Sequence, residues 1–176
     1  MRNGEHKASL KAAMRRMPGA VSLVTTVDPN GAPAGLAASA VIPISMDPPS
    51  MLVSINRNAS AHGPISRAGR FCINLLAADQ ARLVGPFADS ARRDERFSEG
   101  DWSAYEGVPY LPDACAAIFC EVRQEIPFGT HSLFIGEVTD VVGRDGGAAP
   151  LGWMEGGFVA MAPLTPAAVS KDAAVT

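Results

Sequence analysis

Histidine and cysteine are scarce in this 176-residue chain, with three of each. Cys72, Cys115 and Cys120 form no C-x-x-C pair. An odd count without metal-ligand spacing argues against both a disulfide framework and a zinc site. Each cysteine lies in an apolar run, where a thiol serves as a small buried hydrophobe. His6, His62 and His131 stand far apart with no ligand spacing, so no metal is expected. Basic charge is missing too: 15 Lys+Arg against 18 Asp+Glu leave a net charge of −3. A sequence-independent nucleic-acid binder needs a surplus of cations for the phosphates, which excludes that partner class. No apolar run approaches the ~20 residues that span a bilayer, so no membrane association is expected. Residues 1–11 are polar and charged, without the apolar core of a signal peptide, and a cytoplasmic location is the expectation.

Familiar catalytic signatures are absent as well. The chain has no P-loop, no G-x-G-x-x-G after a strand, no H-E-x-x-H and no G-x-S-x-G. No pair of carboxylates is spaced for acid–base work on one face. If the chain is an enzyme, a bound organic cofactor must carry the difficult chemistry.

What is present is apolar and turn-rich. Hydrophobic residues make up 47% of the chain, enough for one domain with a substantial core whose sites a second subunit can complete. Leu10, Met14 and Met17, spaced by four and three, predict a short amphipathic helix over 8–17 that stops at Pro18-Gly19. Residues 20–27 alternate, the Asp28-Pro29-Asn30-Gly31 turn follows, and 34–45 form the return strand, rich in Ala and Ser. Strands are predicted over 51–55 and 70–76. A short helix runs from 58 toward 67, with Ser60 as a candidate cap, and another over 78–87. Residues 88–112, with Arg92-Arg93-Asp94-Glu95, Trp102 and Tyr105, are too sparsely apolar for a core of their own and read as an excursion. The clearest hairpin pairs 115–126 with 131–142 across Pro127-Phe128-Gly129-Thr130, and 150–161 is a last strand region broken at Gly156-Gly157. Six or seven strands with peripheral short helices point to a mainly β fold, a barrel. Residues 1–163 form the domain, and 164–176, rich in Ala and small polar residues, a fraying tail.

Six segments in order over roughly 10–161 resemble the flavin reductase-like family. They are Gly19-Ala20-Val21-Ser22-Leu23-Val24-Thr25-Thr26; Gly35-Leu36-Ala37-Ala38-Ser39-Ala40; Ser45-Met46-Asp47-Pro48-Pro49 with Leu52-Val53-Ser54-Ile55-Asn56-Arg57; Phe71-Cys72-Ile73-Asn74-Leu75-Leu76 with Gln80 and Phe87-Ala88; Gly129-Thr130-His131 through Gly136-Glu137-Val138; and Pro150-Leu151 with Gly156-Gly157-Phe158. Thr130 and Phe158 depart from the family's usual Asp and Tyr. The resemblance implies a flavin-binding split β-barrel acting as a homodimer. It also implies an NAD(P)H:flavin oxidoreductase that reduces FMN or FAD with NADH or NADPH and passes reduced flavin to a partner flavin-dependent monooxygenase. A flavin-binding electron carrier without NAD(P)H turnover is the alternative on the same barrel, and an oxidase like the barrel's pyridoxamine-phosphate oxidase relatives is a third.

The same resemblance assigns residues, and each assignment has a plainer counterpart. Ala37, Ala38, Ser39 and Ala40 would let the flat flavin ring approach the backbone; alone, they read as tight sheet packing. Ser54, Ile55, Asn56, Arg57, Asn58 and Ser60 would hold the flavin and its phosphate at a strand end entering a helix; alone, they are a helix start with a solvated arginine. Phe87 and Ala88 fall near the flavin, though Phe87 also suits a helical core. His131 would hydrogen-bond the nicotinamide carboxamide as the catalytic positioning residue, or be a polar residue beside a turn. Gly31, Pro33, Gly35 and Phe158 complete the expected donor site. Hydride transfer needs its two reacting atoms held about 3–3.5 Å apart, so positioning rather than a general base is the contribution expected of the chain.

Overall fold

The computed structural model describes residues 2–144 and 146–164; the tail expected over 164–176 lies, apart from Leu164, outside them. In chain order the elements are α1 (Arg2–Arg15), β1 (Gly19–Ala20), β2 (Ser22–Val27), β3 (Pro33–Ala38), β4 (Val41–Met46), β5 (Pro49–Asn56), α2 (His62–Ala68) and β6 (Arg70–Leu75). A 3-10 segment, Ala78–Leu83, runs into α3 (Val84–Ala88), and a second, Ser90–Glu95, follows. Then come β7 (Ser103–Tyr105), β8 (Val108–Tyr110), β9 (Ala116–Phe128), β10 (His131–Gly143), β11 (Leu151–Met154) and β12 (Gly157–Ala160).

Seven strands form one antiparallel sheet in the order β3-β2-β6-β9-β10-β5-β4. Its two edge strands are neighbours in sequence, joined only by Ser39 and Ala40. Six strand spacings of ~4.8 Å would hold the edges of a flat sheet about 29 Å apart. Three Cα–Cα steps of ~3.8 Å reach at most about 11 Å. The sheet therefore has to roll until its edges meet. The Ser54 backbone N–H donates to the Ala40 carbonyl at 3.0 Å, fastening the corner to β5. The expected single strand over 34–45 is thus two strands, divided at this corner.

The rolled sheet has a core on each side of β2, where residues 22–26 are all buried. Val24 joins Val53, Ile55, Ile65, Phe71, Ile73 and Phe134 in one. Leu23, on the opposite face, packs with Leu76, Leu83, Phe87, Leu111 and Leu151 in the other. The second core accounts for the excursion after α3. Its apolar content is low, yet it is tied down by buried polar groups: Asn74 Nδ2 donates to the Leu23 carbonyl at 3.0 Å, and Asn74 Oδ1 accepts from Leu111 N–H at 2.8 Å. Thr25 Oγ1 donates to the Pro109 carbonyl at 2.6 Å.

Other boundaries moved for identifiable reasons. The helix expected from residue 58 starts at His62, and its N-cap is Ala61 with no side-chain hydrogen bond, so Ser60 is not a cap. The β9–β10 pair runs on to Phe128 and His131, leaving Gly129 and Thr130 as a two-residue turn with Gly129 at φ +57°. The last strand region is a hairpin, β11 paired with β12 across Glu155 and Gly156, and β11 also pairs with β1 in a small separate sheet. Cys72 and Cys120 are buried hydrophobes, burial pushing the Cys72 thiol far above its ordinary range and that of Cys120 up to about 12, whereas Cys115 is half-buried and its thiol donates to the Leu76 and Ala148 carbonyls at 3.7 and 3.6 Å. No group of residues suited to holding a metal ion occurs among the described residues.

Gly136 lies where β10 passes over the interior. A Cβ there would sit 2.7 Å from both Cys120 Cβ and the Phe71 ring. Gly136→Ala is therefore expected to destabilise the protein by about 1–3 kcal/mol through overpacking. Urea unfolding measures this; an unchanged midpoint would mean that Phe71 yields without cost.

Candidate functional site

Where the sheet edges meet, the corner opens into a cleft of about 620 Å³. One wall is Ala37, Ala38, Ser39 and Ala40 at the end of β3; Ser54 and Asn56 on β5 and His131 on β10 lie across from it. Register explains the grouping. Ser54 pairs with Leu133 and Asn56 with His131, so the cleft-lining residues of β5 and β10 share the outward face of the sheet. Phe87 and Ala88, at the end of α3, close the cleft from the excursion side. The wall is low because its side chains are methyls and one hydroxyl, which lets a flat molecule reach the strand backbone.

The far end is polar and cationic. Asn58, Ser60, Ser90, Arg93 and Arg96 line it. Arg96 is built into the fold: its guanidinium donates to the Gly35 carbonyl at 2.7 Å, the Pro86 carbonyl at 2.8 Å and Ser60 Oγ at 2.9 Å, and it lies 5.8 Å from the Phe87 ring centroid. Phe87 in turn packs edge-on against Phe97, and both contact Trp102. Burial, and then the neighbouring Arg93, hold the Arg96 guanidinium below its usual pKa. An arginine remains cationic at neutral pH even so. Arg93 is more exposed, its guanidinium 3.6 Å from Asp94. Two like charges facing one cavity end repel each other, and an anion between them relieves that repulsion.

His131 lines the cleft beside Asn56, its pairing partner on β5. Its Nδ1 is 2.9 Å from Thr130 Oγ1. In the tautomer where the hydroxyl donates to Nδ1, Nε2 carries the proton and can donate to a carbonyl oxygen. The hairpin beneath it is fastened by partly buried contacts: Ser132 Oγ lies 2.9 Å from His62 Nε2 and donates to Glu125 at 2.9 Å.

Of the residues singled out in the sequence, the cleft brings together Ala37, Ala38, Ser39, Ala40, Ser54, Asn56, Asn58, Ser60, Phe87, Ala88 and His131. Ile55 does not line it, because it alternates to the inner face and is 1% exposed in the core. Arg57 does not line it either; its guanidinium is turned to the Gly129 carbonyl across the hairpin end. Gly35 is buried behind the wall and contributes its carbonyl to Arg96, while Gly31 and Pro33 sit exposed at and beyond the β2–β3 turn, away from the cleft. Phe158 lines a neighbouring cavity that shares Ala37, Ala38, Ser39 and Ala88 with the cleft. Sequence reasoning missed Ser90, Arg93 and Arg96. The signal was the basic cluster that follows Phe87-Ala88 at once, read as part of a solvated excursion because its packing partners Phe97 and Trp102 come later in the chain.

The family model described as "Flavin reductase like domain" matches residues 14–162. An FMN reductase (NADH) RutF from Agrobacterium fabrum is 42% identical over 130 residues, covering 73% of this chain and 74% of the relative. An NADH:riboflavin 5'-phosphate oxidoreductase from Streptomyces pristinaespiralis is 32% identical over 161 residues, 90% of each. Among solved structures, a nitrilotriacetate monooxygenase component B homologue from Mycobacterium thermoresistibile superposes with a TM-score of 0.84 at 25% identity, covering 97% of this chain and 96% of that one.

Arg96→Ala would leave the Gly35 and Pro86 carbonyls without their donor. We expect a loss of about 1–3 kcal/mol in stability and faster proteolysis within 84–97. Arg57→Ala, at an exposed position, should stay within about 0.5 kcal/mol. Thermal unfolding with limited proteolysis checks both, and equal losses for the two variants would contradict the structural role of Arg96.

Proposed function

The chain belongs to the flavin reductase-like family, and on that premise we propose that the corner cleft holds the flavin, with its phosphate toward Ser60, Arg93 and Arg96 and the nicotinamide donor entering beside His131. The activity is that of an NADH-dependent flavin oxidoreductase, reducing FMN or FAD and supplying reduced flavin to a flavin-dependent oxygenase. The single observation that carries the site assignment is the pairing, within one cleft, of a small-residue wall with a dicationic polar end. The wall suits a flat ring edged by hydrogen-bonding groups; the polar end suits a phosphate. A volume of about 620 Å³ lies in the range of sites that enclose a cofactor of this size.

Bound in the cleft, a flavin supplies the hydride acceptor, and the rest of the work falls to side chains. Arg96, fixed by hydrogen bonds to the Gly35, Pro86 and Asp89 carbonyls and to Ser60, and Arg93 beside it would hold the phosphate. Ala37, Ala38 and Ala40 keep side-chain bulk out of the ring's way. His131 donates from Nε2 to the carboxamide oxygen and so fixes the donor ring's orientation. No group on the chain needs to remove a proton, because hydride carries its electron pair with it. No carboxylate is among the described residues lining the cleft, which matches that division of labour. The activities named for the relatives favour this reading over an electron carrier.

A second copy of the chain is the partner we assign to the sheet's outward face. Ile42, Leu52 and Ile135 form one cross-strand row and Leu133 with Ile126 part of the next, beside the cleft-lining Ser54. Ile42 is 52% exposed, Ile126 41%, and Phe128 at the hairpin end 79%. A contiguous apolar face of this kind, on a sheet edged by β4, suits burial against an identical face. No described helix is long and apolar enough to cross a membrane. The supply of nicotinamide donor supports a cytoplasmic location.

The primary test is NADH oxidation with FMN, FAD and riboflavin as acceptors, where turnover is expected. Arg93→Ala should weaken FMN more than riboflavin, by a charge-assisted bond of roughly 1.5–3 kcal/mol. His131→Ala should raise the donor KM several-fold to about tenfold and leave FMN affinity nearly unchanged. Equal weakening of FMN and riboflavin, or loss of flavin on removing His131, would overturn these assignments. Sedimentation equilibrium should give twice the chain mass, and Ile42→Asp should give the monomer; a wild-type monomer would rule out the second copy.

A further inference from the structure

The β9–β10 hairpin carries His131 at its end, and strand pairing alone holds that end weakly. The register shifts between Ile135 and Gly136, which leaves Arg123 without a partner on β10 and sets the outer part of the hairpin apart from the rest. Beyond the shift, Ser132 faces Pro127, which has no N–H to give the ladder. Residues 123–128 are exposed throughout. His131 pairs with Phe128 and Asn56, the final residues of β9 and β5, so neither neighbouring strand continues past it.

Side chains on the inner face supply the fastening. Ser132, the next residue along β10, is buried, and its hydroxyl donates to Glu125 Oε1 on β9 at 2.9 Å. That uses the one hydroxyl proton, so His62 Nε2, 2.9 Å from the same oxygen, must carry the proton of their bond. Glu125 Oε2 accepts from Ser66 Oγ at 2.7 Å, one turn further along α2. The His62 ring lies edge-on to Phe134 with centroids 5.2 Å apart, which limits its rotation. The α2 side is the anchored one. Ala61 and Ile65 lie in the core, and backbone N–H groups of Ala59 and His62 donate to the Asn56 and Ala59 carbonyls at 2.9 and 3.0 Å. Neither His62, Glu125 nor Ser132 lines the cleft.

We propose that His62, acting through Ser132 and Glu125, is a positioning residue for the hydride donor, holding the hairpin end where His131 meets the carboxamide. The inference rests on the reading that His131 orients the nicotinamide. A hydrogen bond from His131 tolerates little displacement, since its strength falls steeply with misalignment. His131 is the last paired residue of its strand, and Ser132 is the adjacent point at which side chains fix that strand to the core. The flavin side does not depend on this network, because the β3 wall is held by the Ser54–Ala40 bond and Arg96 by the Gly35 carbonyl.

The test pairs His62→Phe, which keeps a ring against Phe134 and deletes the donor, with His62→Gln, whose amide can supply the same donor. With FMN as acceptor, His62→Phe should raise the KM for NADH about threefold to fivefold, the scale of one weakened hydrogen bond. His62→Gln should recover it to within about twofold, and FMN affinity should hold in both. In a His131→Ala background, His62→Phe should change the NADH KM by less than about twofold, because the residue it positions is gone. Glu125→Ala, at an exposed strand position, should reproduce the effect and replaces His62→Phe if that variant does not fold. An unchanged KM, an equal loss in the His131→Ala background, or FMN binding weakened to match overturns the proposal and leaves the network as part of the fold alone. If His131→Ala by itself leaves the NADH KM unchanged, the donor reading fails and the proposal with it.

Discussion

A two-residue link between the opposite edges of a seven-stranded sheet governs this molecule. Because Ser39 and Ala40 cannot span a flat sheet, β3 and β4 force it to curl, and the backbone bond from Ser54 to Ala40 holds the closure. The corner is also where cavities form. Strand pairing ends there, side chains are small, and the neighbouring strands splay to either side. That Ser39 borders three cavities follows from its place at the one point where the sheet turns back on itself.

The cationic end of the cleft depends on a different kind of bond. The chain from Ser90 to Trp102 belongs to none of the sheets, so its position cannot come from a ladder. It comes instead from a few satisfied polar groups and one aromatic cluster. Asn74 and Thr25, on the outer face of β6 and β2, hold Leu111 and Pro109, while Phe87, Phe97 and Trp102 pack as a unit. Arg96 links the two systems, joining the β3 backbone at Gly35 to the α3 end at Pro86. Buried polar bonds of this sort have high stakes, because each unpaired carbonyl would cost more than the bond contributes when made.

The strands of the sheet were legible because their signals are local: alternation over 20–27, the 115–142 hairpin, and the Asp28-Pro29-Asn30-Gly31 turn each depend on nearby residues. The break at Ser39-Ala40 was not, because it answers to the position of strands 80 residues further on. The expected residues that line the cleft are those whose type is unusual for their element, such as small residues in a strand. Ile55 and Arg57 neighbour lining residues in sequence but do not line the cleft. A strand sends successive side chains to opposite faces, which puts Ile55 in the core between cleft-lining Ser54 and Asn56. Arg93 and Arg96 escaped because a charge cluster without periodicity looks the same whether solvated or folded back.

Taken together, the site separates two tasks along the corner. On the proposed reading, contacts made by rigid elements, the β3 wall and the β5–β10 rows, face the region where ring meets ring, where alignment decides the rate of hydride transfer. On the same reading, Arg93, carried on the looser 3-10 segment, faces the end where the phosphate is recognised. A reductase that hands reduced flavin to another protein has to bind tightly enough to align and loosely enough to release. Rigid geometry serves alignment without adding affinity to the phosphate. An exposed cation contributes affinity that water and salt attenuate, so release of the flavin can proceed from its charged end while the aligning wall stays intact.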